Sequence, residues 1–279
     1  MKIKTPVRRS RPGDCSAIQA LHQRARRRLP QLWWWEEHLA DDSFVVVEHG
    51  GIVVGALLAW PDESPVAWVR FAALDDALDV GEWLGLTLPP VQDSLRHRGT
   101  QGLAWMDYNR WAKPHLGACG FRRLTEVITL TKLDRTLPEA KPPGIYLRPV
   151  SDADIPAVVA VDRAAFTPHW WYSETTMYRR LAASSHFIVA ETGTEVIGYT
   201  EGDWHRSTAH LNRIAVCPAY QGHGIGTMLL NNALRNFWRL GAKRITLNTQ
   251  IDNLYSQRLY RRFGFEPTGD SVTMWELQL

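Results

Sequence analysis

Three closely spaced glycines in the second half of the chain are the residues best suited to holding a ligand. They lie in Cys217-Pro218-Ala219-Tyr220-Gln221-Gly222-His223-Gly224-Ile225-Gly226-Thr227. An apolar strand ends at Val216, and Pro218 stops its pairing. The chain then turns into a helix in which Leu230, Ala233, Leu234, Phe237 and Trp238 recur at helical spacing, with Gly241 as its stop. Bare glycines at a helix N-terminus aim backbone N–H groups and the positive dipole end at one point. Without side chains there, a phosphate can approach closely, so the implied chemistry is anion binding. Two nucleotide motifs fit poorly. A dinucleotide fingerprint needs G-x-G-x-x-G after the first strand of a βαβ unit and an acid about 20 residues on. Here the glycines are spaced G-x-G-x-G, deep in their domain, and Gly241-Ala242 stands where the acid would be sought. A nucleotide-hydrolase loop ends in Gly-Lys-Ser/Thr, and Gly226-Thr227 has no lysine.

Proton-handling groups lie nearby in sequence. Glu201 and Asp203 share one face of a strand by alternation around Gly202, and either can serve as a base through a water. Solvated surface carboxylates account for them equally well. His169, Trp170 and Trp171 either line an acceptor site or pack in a core.

The second half reads as a strand at 145–150, one or two helices through Leu181, and strands at 186–191, 196–204 and 209–216. A loop and a helix at 224–240 follow, then a strand at 244–250, a helix at 253–263 and final strands through Leu277. Within this order, Gln221-Gly222-His223-Gly224-Ile225-Gly226 resembles the Q/R-x-x-G-x-G/A loop of the GCN5-related N-acetyltransferase (GNAT) family. Asn253 followed by Leu259-Tyr260-Arg261-Arg262-Phe263-Gly264-Phe265 is similar to the family's N-x-x-A-x-x-L-Y-x-x-x-G-F pattern, with Ser256 in place of alanine.

The resemblance implies an acyl-CoA-dependent enzyme with acetyl-CoA as cosubstrate. It assigns the pyrophosphate to Gln221, Gly222, His223, Gly224, Ile225 and Gly226, with Thr227 in the first helical turn. It assigns the pantetheine arm to the strand edge at Ile214, Ala215 and Val216 and to Asn253, and the general-acid position to Tyr260. Many family members place a glutamate base on the strand before the loop; His210-Leu211-Asn212-Arg213 offers none, which leaves Glu201 or Asp203. The acceptor would be the primary amine of a small molecule or peptide, acetylated by direct attack in a ternary complex. An acyl-CoA-binding sensor without turnover and an acyltransferase for longer chains are the alternatives.

The chain also repeats itself. Arg11-Pro12-Gly13-Asp14 and Arg148-Pro149-Val150-Ser151-Asp152 each precede a helix, expected at 17–27 and 155–166. Trp33-Trp34-Trp35 and His169-Trp170-Trp171 follow, then Phe44–Glu48 and Phe187–Glu191 as strands. Gly120-Phe121 and Gly264-Phe265 close each half, 144 positions apart, and at that offset Asn109 falls on Asn253. The expected fold is α+β, with two tandem GNAT-like domains, each a mixed, mostly antiparallel sheet flanked by helices. The boundaries are 1–137 for a degenerate copy, 138–144 for a proline-rich linker and 145–279 for the catalytic domain. At the loop offset the first half reads Asp76-Ala77-Leu78-Asp79-Val80-Gly81-Glu82, whose acids would repel phosphate, and Leu116 stands at the tyrosine position.

Composition agrees with such an enzyme. The 279 residues are 45% hydrophobic and 22% charged, with material for two cores. A net charge of +3 argues against nucleic-acid or anionic-membrane binding, and no stretch reaches the ~20 apolar residues of a membrane span. The run Arg24-Ala25-Arg26-Arg27-Arg28 has the composition of a phosphate or RNA patch but reads better as a solvated helix face. Residues 1–5 lead into arginines, so no signal peptide is expected. Three scattered cysteines imply reduced thiols, a cytoplasmic location and no metal site. A homodimer is compatible with all of this.

Overall fold

A computed structural model describes residues 6–30, 34–138 and 144–279. Trp33 and residues 139–143 of the proline-rich connector lie outside them. The chain forms two compact units, Met1–Thr125 with Val272–Leu279, and Glu126–Ser271. Unit 1 is thus completed by the C-terminal end of the chain, and unit 2 includes residues that precede the connector.

Unit 1 contains β1 (Val7–Arg9), α1 (Cys15–Arg24), β2 (Arg27–Arg28), β3 (Phe44–His49), β4 (Ile52–Trp60), β5 (Val66–Leu74), α2 (Val80–His97), β6 (Gly102–Met106), α3 (Lys113–Leu116) and the first residues of β7 (Arg122–Lys132). Its strands run in the order β1-β3-β4-β5-β6, and Gly102–Met106 then pairs with residues 274–278. All pairs are antiparallel except β5–β6. Apolar β-branched runs such as Phe44-Val45-Val46-Val47 suit buried strands. Trp83, Leu84, Leu88, Val91 and Leu95 of α2 cover one set of strand residues, and Ile18 and Leu21 of α1 cover another.

Helix α1 ends at Arg24, earlier than the helix expected at 17–27. Ala25 is extended (ψ 132°) and buried, and Arg27–Arg28 form a short strand against Ala73–Leu74 of β5. The basic run is therefore not a solvated helix face. An open strand edge offers Arg27 and Arg28 ladder bonds, and this tertiary pairing overrides their helical propensity.

Unit 2 contains β8 (Tyr146–Pro149), α4 (Ile155–Ala165), α5 (Glu174–Ala183), β9 (His186–Thr192), β10 (Glu195–His205), β11 (Thr208–Val216), α6 (Ile225–Arg239), β12 (Arg244–Gln250), α7 (Leu254–Arg262) and the first residues of β13 (Glu266–Gln278), as far as Ser271. Its strand order is β8-β9-β10-β11-β12-β7, with Val127–Lys132 antiparallel to β12. The one parallel pair along this order is β11–β12. Helices cover both faces of this sheet. A Cβ on Gly202 would lie 2.7 Å from the Phe237 ring of α6, whereas Glu201 and Asp203, to either side of it, meet Ser184 and Arg180 of the α5 region.

Both units share one ion-pair lock. Arg8 forks onto Asp14 at 2.7 and 2.9 Å and also reaches Glu48. Arg148 forks onto Asp154 at 2.7 and 2.8 Å and reaches Glu191. Asp14 also accepts from Arg11 N, as Asp154 does from Ser151 N. The counterpart of Arg148 is thus Arg8; sequence order had matched it with Arg11, three residues further on.

Candidate active site

The site begins with an open strand edge. On one side β11 pairs with β10 as far as Val216. On the other, the parallel pairing with β12 covers only Thr208–Leu211 against Arg244–Leu247. Past that point Asn212–Val216, including Ile214, Ala215 and Val216, present a backbone edge with no strand partner among the described residues. Val216 leads into the glycine loop, where the Gln221 amide folds back to donate to Val216 O at 2.9 Å. Gly222 and Gly224 adopt φ of +82° and +83°, a left-handed conformation that favours glycine, and a Cβ on Gly222 would meet only open space. Gly224 is the N-cap of the 15-residue helix α6 and supplies no side-chain cap. The first-turn N–H groups of Ile225, Gly226 and Thr227 therefore lack a side-chain acceptor at a positive dipole end. Ile225 and Thr227 are buried and hold the helix down, while His223 is more accessible, with Nδ1 3.4 Å from Tyr220 O.

Helix α7 brings in the second motif. Asn253 is its N-cap, and Oδ1 accepts from Ser256 N at 3.1 Å. Tyr260 is 6% exposed and packs with Leu230, Phe263 and Phe265. Burial pushes its pKa up to about 12 against a smaller downward pull from Ser256, so the phenol keeps its proton.

A carboxylate cluster lies on the α5-facing side of β10. The β10–β11 register slips between Glu201↔Arg213 and Gly202↔Leu211, leaving Asn212 as the extra residue of a β-bulge. The Asn212 amide donates to Glu201 Oε1 at 3.0 Å and to Asp203 Oδ2 at 2.7 Å. Ser184 Oγ donates to the same Glu201 oxygen, and Arg180 lies 3.8 Å from Glu201 and 3.2 Å from Asp203. Glu201 is 1% exposed, and its Oε2 has no hydrogen-bond partner. Burial raises its pKa, opposed by Arg180, Ser184 and Asn212. His210, opposite Asp203 in the ladder, has its pKa lowered by burial and meets Thr246 Oγ1 at 2.8 Å. The structure thus brings Glu201 and Asp203 together as the alternation requires. It adds Asn212, Arg180 and Ser184, which sequence reasoning missed. Nothing local marks Asn212 as a bulge, and Arg180 and Ser184 arrive from a separate helix and the residue that ends it.

Arg213, next to the bulge, is buried in an ion pair with Asp162 at 2.6 and 3.0 Å. Its guanidinium sits between the rings of Phe166 and Tyr172, 4.2 and 3.8 Å from their centroids, and donates to the carbonyl of Trp170. Trp171 Nε1 donates to Phe166 O at 2.8 Å. The tryptophan segment is thereby tied to β11 by its backbone, and His169 shares its short helical turn, Pro168–Trp170.

Unit 1 fills the equivalent places with its own chain. The parallel β5–β6 pairing covers only Val66–Trp68 against Gly102–Ala104. Beyond it, β2 pairs with Ala73–Leu74, and Leu29 N donates to Ala72 O at 2.9 Å. Asn109, the counterpart of Asn253, donates to Arg28 O at 2.9 Å. Helix α2, the counterpart of α6, is capped by the Asp79 carboxylate, which accepts from Glu82 N at 3.0 Å.

Residues 156–265 match the Acetyltransferase (GNAT) family. Over 130 residues the chain is 30% identical to an uncharacterized N-acetyltransferase of Methanocaldococcus jannaschii, covering 43% of this chain and 78% of that protein. Over 245 residues it is 26% identical to the mycothiol acetyltransferase of Nocardia farcinica, covering 80% of this chain and 79% of that one. A GCN5-related N-acetyltransferase from Sphaerobacter thermophilus superposes with a TM-score of 0.67 at 18% identity, over 100% of this chain and 96% of that chain, a likeness of fold. The chain belongs to the GNAT acetyltransferase family. It is an acyltransferase with two tandem GNAT-like domains.

Proposed function

We propose that this chain transfers the acetyl group of acetyl-CoA to the primary amine of a small molecule or peptide, by direct attack in a ternary complex. The carrying observation is the open β11 edge running into the uncapped N-terminus of α6. Unit 1 has a peptide segment on the equivalent edge and a carboxylate on the equivalent helix end, which supports this reading of the two places. An amide-bearing arm can pair with Ile214, Ala215 and Val216 as Arg27–Leu29 pair with β5. A pyrophosphate can take the donors at 221–227 as the Asp79 carboxylate takes those of α2. Asn253 Nδ2 would hold the arm as Asn109 holds Arg28 O, its Oδ1 being committed to the helix cap. On this reading the chemistry belongs to the half of the chain from residue 145 onward.

Acetyl-CoA supplies an already activated thioester, so the protein needs chiefly to position the partners and move protons. Glu201, through its unpartnered oxygen and raised pKa, takes the proton that the acceptor ammonium must lose before its nitrogen attacks the carbonyl carbon. Tyr260 donates its proton to the sulfur as the C–S bond breaks, leaving an amide and a free thiol. Asn212 and Arg180 hold Glu201 and Asp203 in place.

Thiol release from acetyl-CoA, measured against a panel of small amines and peptides, tests this reading. Amine-dependent release supports it. Tight CoA binding with no release for any acceptor would make the protein a CoA-binding sensor and overturn it.

A further inference from the structure

A cavity of about 500 Å³ lies in unit 2 between α6 and the start of β9, among residues the proposed reaction does not use. Its helix wall carries Asn232, Arg235, Asn236 and Arg239, which share one helical face. Two arginines four residues apart on a helix repel each other unless something negative lies between or beside them. Among the described residues nothing does so. Arg235 Nε donates to Asn231 Oδ1 at 2.6 Å, and Arg239 Nη2 donates to Asn236 Oδ1 at 2.8 Å. Among the described residues, neither guanidinium has a carboxylate within 4 Å, and their remaining N–H donors have no protein acceptor.

Beneath them lies His186, 3% exposed, with Nδ1 3.3 Å from the Asn236 amide and Nε2 without a partner. Burial lowers its pKa to about 4, so the ring is neutral and leaves the positive charge on the arginines. Pro149 and Ile188 give the cavity an apolar side. Arg239 stands in the last turn of α6, where the helix dipole disfavours anions. Any attraction for an anion therefore comes from the two side chains and not from the helix. The place is also separate from the glycine loop, since Gly224 and Arg235 are about 16 Å apart along the helix axis at the standard rise.

We propose that this cavity binds a small oxyanion, a carboxylate or a phosphate monoester, held by Arg235 and Arg239 with its body against Pro149 and Ile188. The planar guanidinium fork suits the two oxygens of either group. Asn232 adds a donor at the rim, while the Asn236 amide is committed to Ser185 O and His186 Nδ1.

Calorimetric titration tests this with two probes, inorganic phosphate and benzoate, added to protein already saturated with CoA so that the glycine loop is filled. The same titrations of the Gly224→Asp variant keep the result independent of CoA binding. The expected result is saturable binding of at least one probe at one site per chain. Binding should weaken by at least about tenfold in R235Q/R239Q, with R235K/R239K in between because it keeps the charges and loses the forks. Binding of phosphate alone identifies a phosphate ligand, and of benzoate alone a carboxylate. Both arginines are exposed, and unchanged CoA affinity in the variants confirms that they fold. No saturable binding of either probe up to about 10 mM, or undiminished binding in R235Q/R239Q, overturns the proposal.

Discussion

The two units have the same scaffold and answer one physical problem in opposite ways. In each, a parallel strand pair separates after a few residues and exposes a backbone edge, and a long helix starts close in sequence to the end of that edge. Unit 1 satisfies these groups internally, with Arg27–Leu29 on the edge and Asp79 on the helix. Unit 2 leaves them open. Unsatisfied backbone donors are costly when buried. A unit that leaves them exposed is suited to a ligand that satisfies both, and a unit that fills them with its own chain leaves such a ligand no backbone donors there.

The sharpest way to break this comparison is to give unit 2 the cap of unit 1. Gly224→Asp should abolish the single CoA equivalent bound per chain, because a fixed carboxylate then competes for the donors and repels the pyrophosphate. Gly224→Asn, which tolerates the left-handed backbone but carries no charge, should bind CoA more weakly than wild type yet measurably. Calorimetric stoichiometry decides the matter. A second equivalent in the wild type, or one remaining in Gly224→Asp, would place a site in unit 1.

Next in size is Glu201→Gln, which should lower kcat by about 10²–10⁴-fold with CoA affinity unchanged. Because burial raises the pKa of Glu201, the wild-type rate should climb with pH through a range above that of an ordinary carboxylate, and the variant should lose that limb. A retained limb would shift the base to Asp203. Tyr260→Phe should fall at the low end of the same range, since a thiolate is a tolerable leaving group. The loss should appear in the maximal rate and not in the CoA dissociation constant. An unchanged maximal rate across the pH range reduces Tyr260 to packing.

The smallest effect tests what the units share. Asp14 and Asp154 both have lowered pKa values, chiefly through side-chain hydrogen bonds from Arg8 and Arg148. A carboxyl lowered in the folded state adds stability that is full above its unfolded value of about 3.9 and is lost as pH falls toward the folded value. Asp14→Asn and Asp154→Asn should therefore each cost about 1 kcal/mol at pH 7, allowing for solvent screening of the arginines, and less at about pH 3, where the unfolded carboxyl begins to take up its proton. Chemical denaturation at both pH values reads this out. A large cost for only one of them would show that the lock is not equivalent in the two units.

Much of this was legible in the order of residues. The glycine loop, the α6 stripe and the Asn253–Phe265 motif are local patterns, and the requirements behind them are local too: positive φ at Gly222 and Gly224, and helical spacing through Phe237. The tandem repeat was visible because each copy must rebuild the same strands and helices. The rest depended on groups distant in sequence. Arg24–Arg28 have the composition of a helix, and only the open edge of β5 makes Arg27 and Arg28 a strand. Asn212 became the clamp of Glu201 and Asp203 because the ladder with β10 slips by one residue, and Arg180 reaches them from α5. The last residues of the chain complete unit 1, and Val127–Lys132 pair within unit 2, because a strand joins whichever edge offers backbone partners, regardless of its place in the sequence. Sequence specified the turns, caps and periodic faces that short-range sterics control. Tertiary structure alone decided which edges closed, which carboxylate kept an unpartnered oxygen and, among the described residues, which arginines were left without acids.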